Sequence, residues 1–165
     1  MISRLTEKNL QARLMKWALD DKKHILVAPN ITNVYWWECD LLSVTKAYFS
    51  HEYEIKRSRA DYKADFRNKV PKHRALKDHL FWSNGIARIP NYFWFVTADI
   101  EIEPPEYAGW IQYVDTGGAP AMWIKKAAPR LHKQKLREKK IQSIYRVISY
   151  RLKDMYWRKY KDTKK

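Results

Sequence analysis

A single cysteine, Cys39, stands in a chain of 165 residues, which excludes an intramolecular disulfide and a thiolate zinc cluster. Between Glu38 and Asp40 it reads as a small buried side chain. No apolar run approaches the roughly eighteen residues that a membrane-spanning helix needs. The N-terminus also lacks the apolar stretch of a secretory signal, so a cytoplasmic protein is expected. The five histidines have no metal-ligand spacing, and His51 reads as a strand residue. Gly117-Gly118 is followed by no helical pattern, so it is turn chemistry and not a phosphate loop.

What is present is positive charge. Thirty-three Lys and Arg against eighteen Asp and Glu give a net +15 and a pI near 9.8. Such an excess points to a polyanionic partner, nucleic acid before an anionic membrane. Residues 125–165 hold sixteen basic residues against three acids, so this tail carries +13 of the total. A content of 45% hydrophobic residues argues against disorder, and the length suits one domain with a real core.

Leu5, Leu10, Leu14, Trp17 and Ala18 make the stripe of a first helix capped by Ser3 or Thr6 and ending near Asp20, with Glu7 in its first turn. Strands are expected at 24–28, stopped by Pro29, then at 35–45 and 48–57 around a tight turn at Lys46 and Ala47. A basic helix follows from Arg57 to Pro71, and another short one over 73–84. The run at 92–96, Tyr-Phe-Trp-Phe-Val, reads as a buried central strand. The segments 110–114 and 121–125 form a hairpin across Gly117-Gly118. Asp99, Glu101, Glu103 and Glu106, broken by Pro104-Pro105, form a surface loop. Residues 134–160 make a basic amphipathic helix, whose stripe packs on the sheet, on a second copy in a homodimer or on a partner.

The chemistry lies between Val34 and Phe66. Glu38 and Asp40 share a face by the period-two rule, as do Glu52, Glu54 and Lys56. Asp40 is the preferred acid of its strand because Leu41, Leu42 and Val44 follow it inward. Asp40 and Glu54 on paired strands would hold a hard divalent cation, with Lys56 beside them to orient a water or steady developing charge. That arrangement suits phosphodiester hydrolysis. Nine basic residues between Lys56 and Lys77 add a second positive surface next to this site.

These pieces resemble the PD-(D/E)XK, restriction-endonuclease-like nuclease superfamily, and within it the MmcB-like group of DNA repair proteins and similar small phage-encoded proteins. The resemblance rests on Glu38-Cys39-Asp40, on Glu54 through Tyr62, on Tyr92 through Val96, on Ala108 through Val114, and on Lys125 through Leu131. Cys39 stands where the superfamily commonly has proline. The resemblance implies an α/β fold with an α-β-β-β-α-β core, a mixed central sheet and flanking helices. The core domain would span 1–131, with 132–165 as a basic C-terminal helix and tail.

Asp40, Glu54 and the Ile55 carbonyl would then hold Mg2+ or Mn2+, with Lys56 the catalytic lysine and Glu7 an added helical acid. Arg57, Ser58, Arg59, Lys63, Arg67 and Lys69, with Arg130, Lys133 and Lys135, would hold the nucleic-acid backbone. The function implied is a metal-dependent DNA endonuclease or repair nuclease, in the host cytoplasm if phage-encoded. The alternative is a non-catalytic nucleic-acid-binding or phage accessory module on the same fold.

Overall fold

A computed structural model of the chain describes residues 5–79, 81–82, 86–87, 89–115, 117 and 121–161. The elements run α1 (Glu7–Lys16), β1 (Leu26–Ile31), β2 (Cys39–Val44), β3 (Ser50–Lys56), α2 (Arg59–Asn68) and α3 (Val70–Lys77). After them come the short strands β4 (Phe81–Trp82) and β5 (Ile86–Ala87), then β6 (Tyr92–Thr97), β7 (Ala108–Val114), β8 (Ala121–Lys126) and α4 (Glu138–Tyr160). Six strands form one mixed sheet in the order β1-β2-β3-β6-β7-β8. The first three make an antiparallel meander, β6 and β7 run parallel to β3, and β8 returns antiparallel. The parallel step from β3 to β6 needs a long crossover, and α2 and α3 supply it. The expected α/β class, a mixed sheet flanked by helices, is what the chain forms.

Both faces of the sheet are covered at its centre, while Trp123 and Ile124 of β8 stay exposed. On one, Leu10 and Leu14 of α1 pack on Leu41, Tyr53, Ile55, Trp94 and Val96. On the other, Ile141 and Ile144 of α4 cover Leu26, Ala28, Leu42 and Val44, while Ala75 and Leu76 of α3 cover Phe93, Phe95 and Ala108. Strand alternation sends Tyr53 and Ile55 to the α1 side, and therefore Glu52, Glu54 and Lys56 to the side of α3 and α4. Gly109 fits beneath the Trp94 ring, since a Cβ there would lie 2.4 Å from Trp94 Cε3.

Several boundaries depart from the sequence expectation for identifiable reasons. Thr6 caps α1 with Asn9 returning the bond, whereas Ser3 lies outside the described residues. A wide π-type turn, Trp17–Asp21, carries α1 on. Pro29 does not stop β1, because β1 is an edge strand and a missing N–H on its open side breaks no ladder. β2 begins at Cys39 and not at Tyr35, because Tyr35 and Trp37 turn inward to Ser50 and Glu52. The basic helix divides at Lys69, and Pro71 sits in the first turn of α3, where its missing N–H is harmless. α3 ends at Lys77, and within the rest of the expected short helix Phe81–Trp82 form the strand β4, while residues 80, 83 and 84 lie outside the described residues. Gly117 has φ of 77°, as a turn glycine should, while Gly118 lies outside the described residues. α4 starts at Glu138, because the preceding segment bonds to Asn91 and Tyr48 instead of to itself.

Candidate active site

Asp40 opens β2, and Glu54 and Lys56 close β3. Backbone pairing between these strands ends at Leu41↔Tyr53. Beyond it the Asp40 carboxylate stands in for a backbone acceptor, and Ile55 N–H donates to its Oδ2 at 2.8 Å. The N–H and C=O of one strand residue point to the same side, so the Ile55 carbonyl faces this edge too. Alternation breaks here, with Leu41 in the α1 layer but both Cys39 and Leu42 in the α4 layer. On β1, between the pairs that flank Asp40, Asn30 has φ of 47°. The irregularity turns Asp40 toward β3 and leaves Glu38 exposed, so the shared face expected for these two acids does not form.

Behind Asp40 lies a buried network of charge. Lys56 Nζ donates to Glu54 Oε1 at 3.0 Å and to Asp65 Oδ1 at 2.7 Å. Lys72 Nζ bridges Glu52 and Glu54, 2.6 Å from each. Lys69, at the joint of α2 and α3, pairs with Glu54 and lies 3.1 Å from Asp65. His73 Nε2 meets Asp65 Oδ2 at 2.6 Å, and its Nδ1 meets the Tyr107 hydroxyl at 2.9 Å. Trp37 Nε1 donates to Glu52 at 2.8 Å. Glu52 is 0% exposed, Glu54 1%, Lys72 2%, Lys56 4% and Asp65 4%, so these charges are satisfied by one another and not by water. Removing one partner from such a network leaves a stranded buried charge.

The electrostatics follow from that packing. Burial pushes Glu54 up, but Lys72, Lys56 and Lys69 outweigh it and hold its carboxyl below the usual range. Asp65 is likewise held low despite burial, by its bonds to His73 and Lys56. Burial works against the Lys56 ammonium, yet Glu54 and Asp65 raise it, so Lys56 stays protonated at neutral pH. Lys72 is raised by Glu52 and Glu54 over the same penalty. For Glu52 burial wins over Lys72 and its carboxyl is raised, although both its oxygens accept bonds, the pattern of a carboxylate. Asp40 is pushed up to about 7, first by burial and then by the charge of Glu54. Three buried carboxylates, Glu52, Glu54 and Asp65, pair with Lys56, Lys69 and Lys72, and the half-exposed Asp61 lies 3.9 Å from Lys56. Asp40 instead accepts from a backbone N–H, and Ile55, Lys69 and Lys56 draw its carboxyl down less than burial and Glu54 push it up.

Among the described residues, no group of three or more His, Cys, Asp or Glu is arranged to hold a metal. At this edge stand the Asp40 carboxylate and the Ile55 carbonyl, while both Glu54 oxygens accept from Lys56, Lys69 and Lys72. That set suits magnesium, which takes one or two carboxylates and completes its shell with water and phosphate oxygens, and not zinc, which favours His and Cys.

The remaining candidates separate into groups. Glu7 is exposed in the first turn of α1, and the residue that touches Asp40 is Gln11, one turn on. Gln11 Nε2 donates to the Asp40 carbonyl at 2.5 Å and to Asn30 Oδ1 at 2.9 Å. Arg57, Arg59, Lys63 and Arg67 are exposed on and before α2, beside the site. Ser58 is the N-cap of α2, its hydroxyl accepting from Asp61 N–H at 3.0 Å, while Asp61 accepts from Arg57 N–H at 3.2 Å. Lys69 reaches inward to Glu54 and Asp65 while its side chain stays 38% exposed. Arg130 and Lys135 each lie 5.9 Å from the Phe49 ring, just before β3 begins, and Lys133 is exposed nearby. The length of β3 places that group about 20 Å from Lys56, at the other end of the strand. Asp65, Lys72 and His73 escaped sequence reasoning as site members. The signal available was the four-residue spacing of Asp65 and Lys69, which sets that pair over one another; Lys72 and His73 follow the break at Lys69 and gave none.

No protein-family model matches this chain, and neither does any curated protein. Among solved structures it is similar to SPO1766, a protein of unknown function from Silicibacter pomeroyi. The TM-score is 0.59 at 16% identity, over 98% of this chain and 97% of that one. At that identity the likeness establishes a shared fold and nothing about activity.

Proposed function

We propose that the chain is a Mg2+- or Mn2+-dependent nuclease of the PD-(D/E)XK kind, acting on DNA phosphodiester bonds. The observation that carries this reading is the convergence of Asp40, fixed on Ile55 N–H, with Glu54 and Lys56 at the carboxyl ends of the parallel pair β3 and β6. Open α/β sheets bind their ligands at that end. The order α1-β1-β2-β3-α2, followed by β6 parallel to β3, supports the same superfamily.

Asp40, Glu54 and the Ile55 carbonyl are the groups that would hold the ion. When bound, it supplies Lewis-acid polarisation of the phosphate and lowers the pKa of a bound water. Lys56 is kept protonated by Glu54 and Asp65, so its part is to steady negative charge on the phosphate and not to remove a proton. Asp65 and His73 position Lys56 from behind. Arg57, Arg59, Lys63 and Arg67 would grip the backbone on either side of the scissile bond.

The test is incubation with single-stranded, duplex and branched DNA, and with RNA, in Mg2+ or Mn2+, beside Asp40→Asn and Lys56→Ala. Cleavage by the wild type alone is expected. One observation favours a second reading, a non-catalytic nucleic-acid-binding module: Glu54 is already enclosed by Lys56, Lys69 and Lys72. Equal binding by all three proteins with no cleavage by any would establish that module instead.

A further inference from the structure

The last helix is longer than its packing requires. Only Ile141 and Ile144 of α4 are buried, and every residue from 149 to 161 is exposed. Stepping by threes and fours from Arg146 reaches Tyr150, Lys153, Trp157 and Lys161, which share one face. Tyr150 follows Ile141 by about two and a half turns, so this face looks directly away from the sheet. Tyr150 is 51% exposed and Trp157 67%. Arg146 and Lys153 lie 5.5 and 5.2 Å from the Tyr150 ring centre, and Arg146 also donates to the Tyr150 hydroxyl at 3.4 Å.

The root of this face is fastened to the candidate active site. Arg151 donates to the Pro29 carbonyl and, at 2.6 Å, to the Asn30 carbonyl. Asn30 is held by Gln11, and Gln11 also holds the Asp40 carbonyl. Arg151, Asn30, Gln11 and Asp40 are thus one continuous chain of contacts, and the exposed half of α4 leaves the body beside Asp40.

The chemistry of the face selects its occupant. Its rings alternate with cations, Asp154 at its edge pairs with Lys153 at 2.8 Å, and the exposed Leu152 and Met155 lie on the opposite side of the helix, in line with the buried stripe. α4 holds seven basic residues against two acids, which repels a second copy of itself and attracts a polyanion. Rings that stack on bases between cations that meet phosphates are how single-stranded nucleic acid is held. Seven residues of helix separate Tyr150 from Trp157 by about 10 Å, which matches about three stacked base steps.

We propose that Arg146, Tyr150, Lys153, Trp157 and Lys161 form a binding face for single-stranded nucleic acid, which holds a strand beside Asp40. Only its role in delivering a strand for cleavage rests on the nuclease reading. The test is fluorescence anisotropy of the full chain with a labelled single-stranded oligonucleotide and with its duplex, in EDTA and over a range of salt. The variants are Tyr150→Ala with Trp157→Ala, Trp157→Phe alone, and Arg146→Gln with Lys153→Gln; exposed positions on a helix tolerate all of these.

The double ring variant should bind the single strand at least about thirtyfold more weakly and the duplex within about threefold of wild type. Trp157→Phe should keep most of the affinity, and the glutamine variant should flatten the salt slope. Unchanged affinity in the double ring variant, or an equal loss for duplex, would overturn the proposal. So would binding lost instead to vesicles of phosphatidylserine and phosphatidylcholine. Because EDTA removes cleavage from the measurement, ring-dependent binding by an inactive protein retires the nuclease reading alone. Cleavage with ring-independent binding retires this proposal alone.

Discussion

Lys72 and Lys159 have the same side chain and opposite situations. Lys72 is 2% exposed between Glu52 and Glu54, while Lys159 lies on the open half of α4. The comparison extends to their surroundings: the interior network pairs three ammoniums with three carboxylates, and the arm presents cations to water. Desolvation decides the difference. Inside, an ammonium is needed to keep neighbouring carboxylates ionised and a change is felt in stability. Outside, it stabilises little and is left to meet a ligand.

The largest break in this comparison is Lys72→Met, which strands two buried carboxylates and should lower unfolding stability by about 3–5 kcal/mol. Lys159→Met should stay within about 0.5 kcal/mol. Urea unfolding of both measures the contrast directly, and equal effects would remove it.

Asp40 should respond to pH in the sense opposite to Glu54 and Asp65. Its folded pKa of about 7 lies above the ordinary value of 3.8. The stability it contributes is therefore present in full below pH 4 and lost as pH rises through 7. Asp40→Asn should be more stable than wild type at pH 8, by about 2 kcal/mol after allowance for partial exposure, and equal to it at pH 3.5. Glu54 and Asp65 are held low, so their contribution is present above about pH 4 and lost on acidification. Asp65→Asn should flatten that acid limb in a pH series of thermal melts.

The smallest effect concerns the surface beside the site. Arg59→Gln and Arg67→Gln should each reduce the salt slope of DNA binding by about 1, at unchanged thermal stability. Lys135→Gln, at the far end of β3, should leave cleavage rates within about twofold.

Much of the fold was legible because it depends on local pattern. The run 92–96 sits centrally as β6, and the stripe through Ile141 and Ile144 packs on the sheet as α4. The charged triplet Glu52, Glu54 and Lys56 shares a face of β3, although it reads equally well as a solvated strand. Burial was hidden, because what buries Glu52 is Lys72 and Trp37, residues distant in sequence. Tyr35 and Trp37 carry strand propensity but are drawn into hydrogen bonds with Ser50 and Glu52, so β2 starts late. Lys69 read as a surface cation because its helix partner Asp65 gave no sign of being buried.

On the proposed reading, Asp40 is the acid available to a cation beside the paired interior charges. Titration of Mn2+ into EDTA-stripped protein at pH 7.5, followed by electron paramagnetic resonance, tests it most directly. One ion bound per wild-type chain and none by Asp40→Asn is the predicted result. Equal binding by both proteins, or none by the wild type, would contradict it.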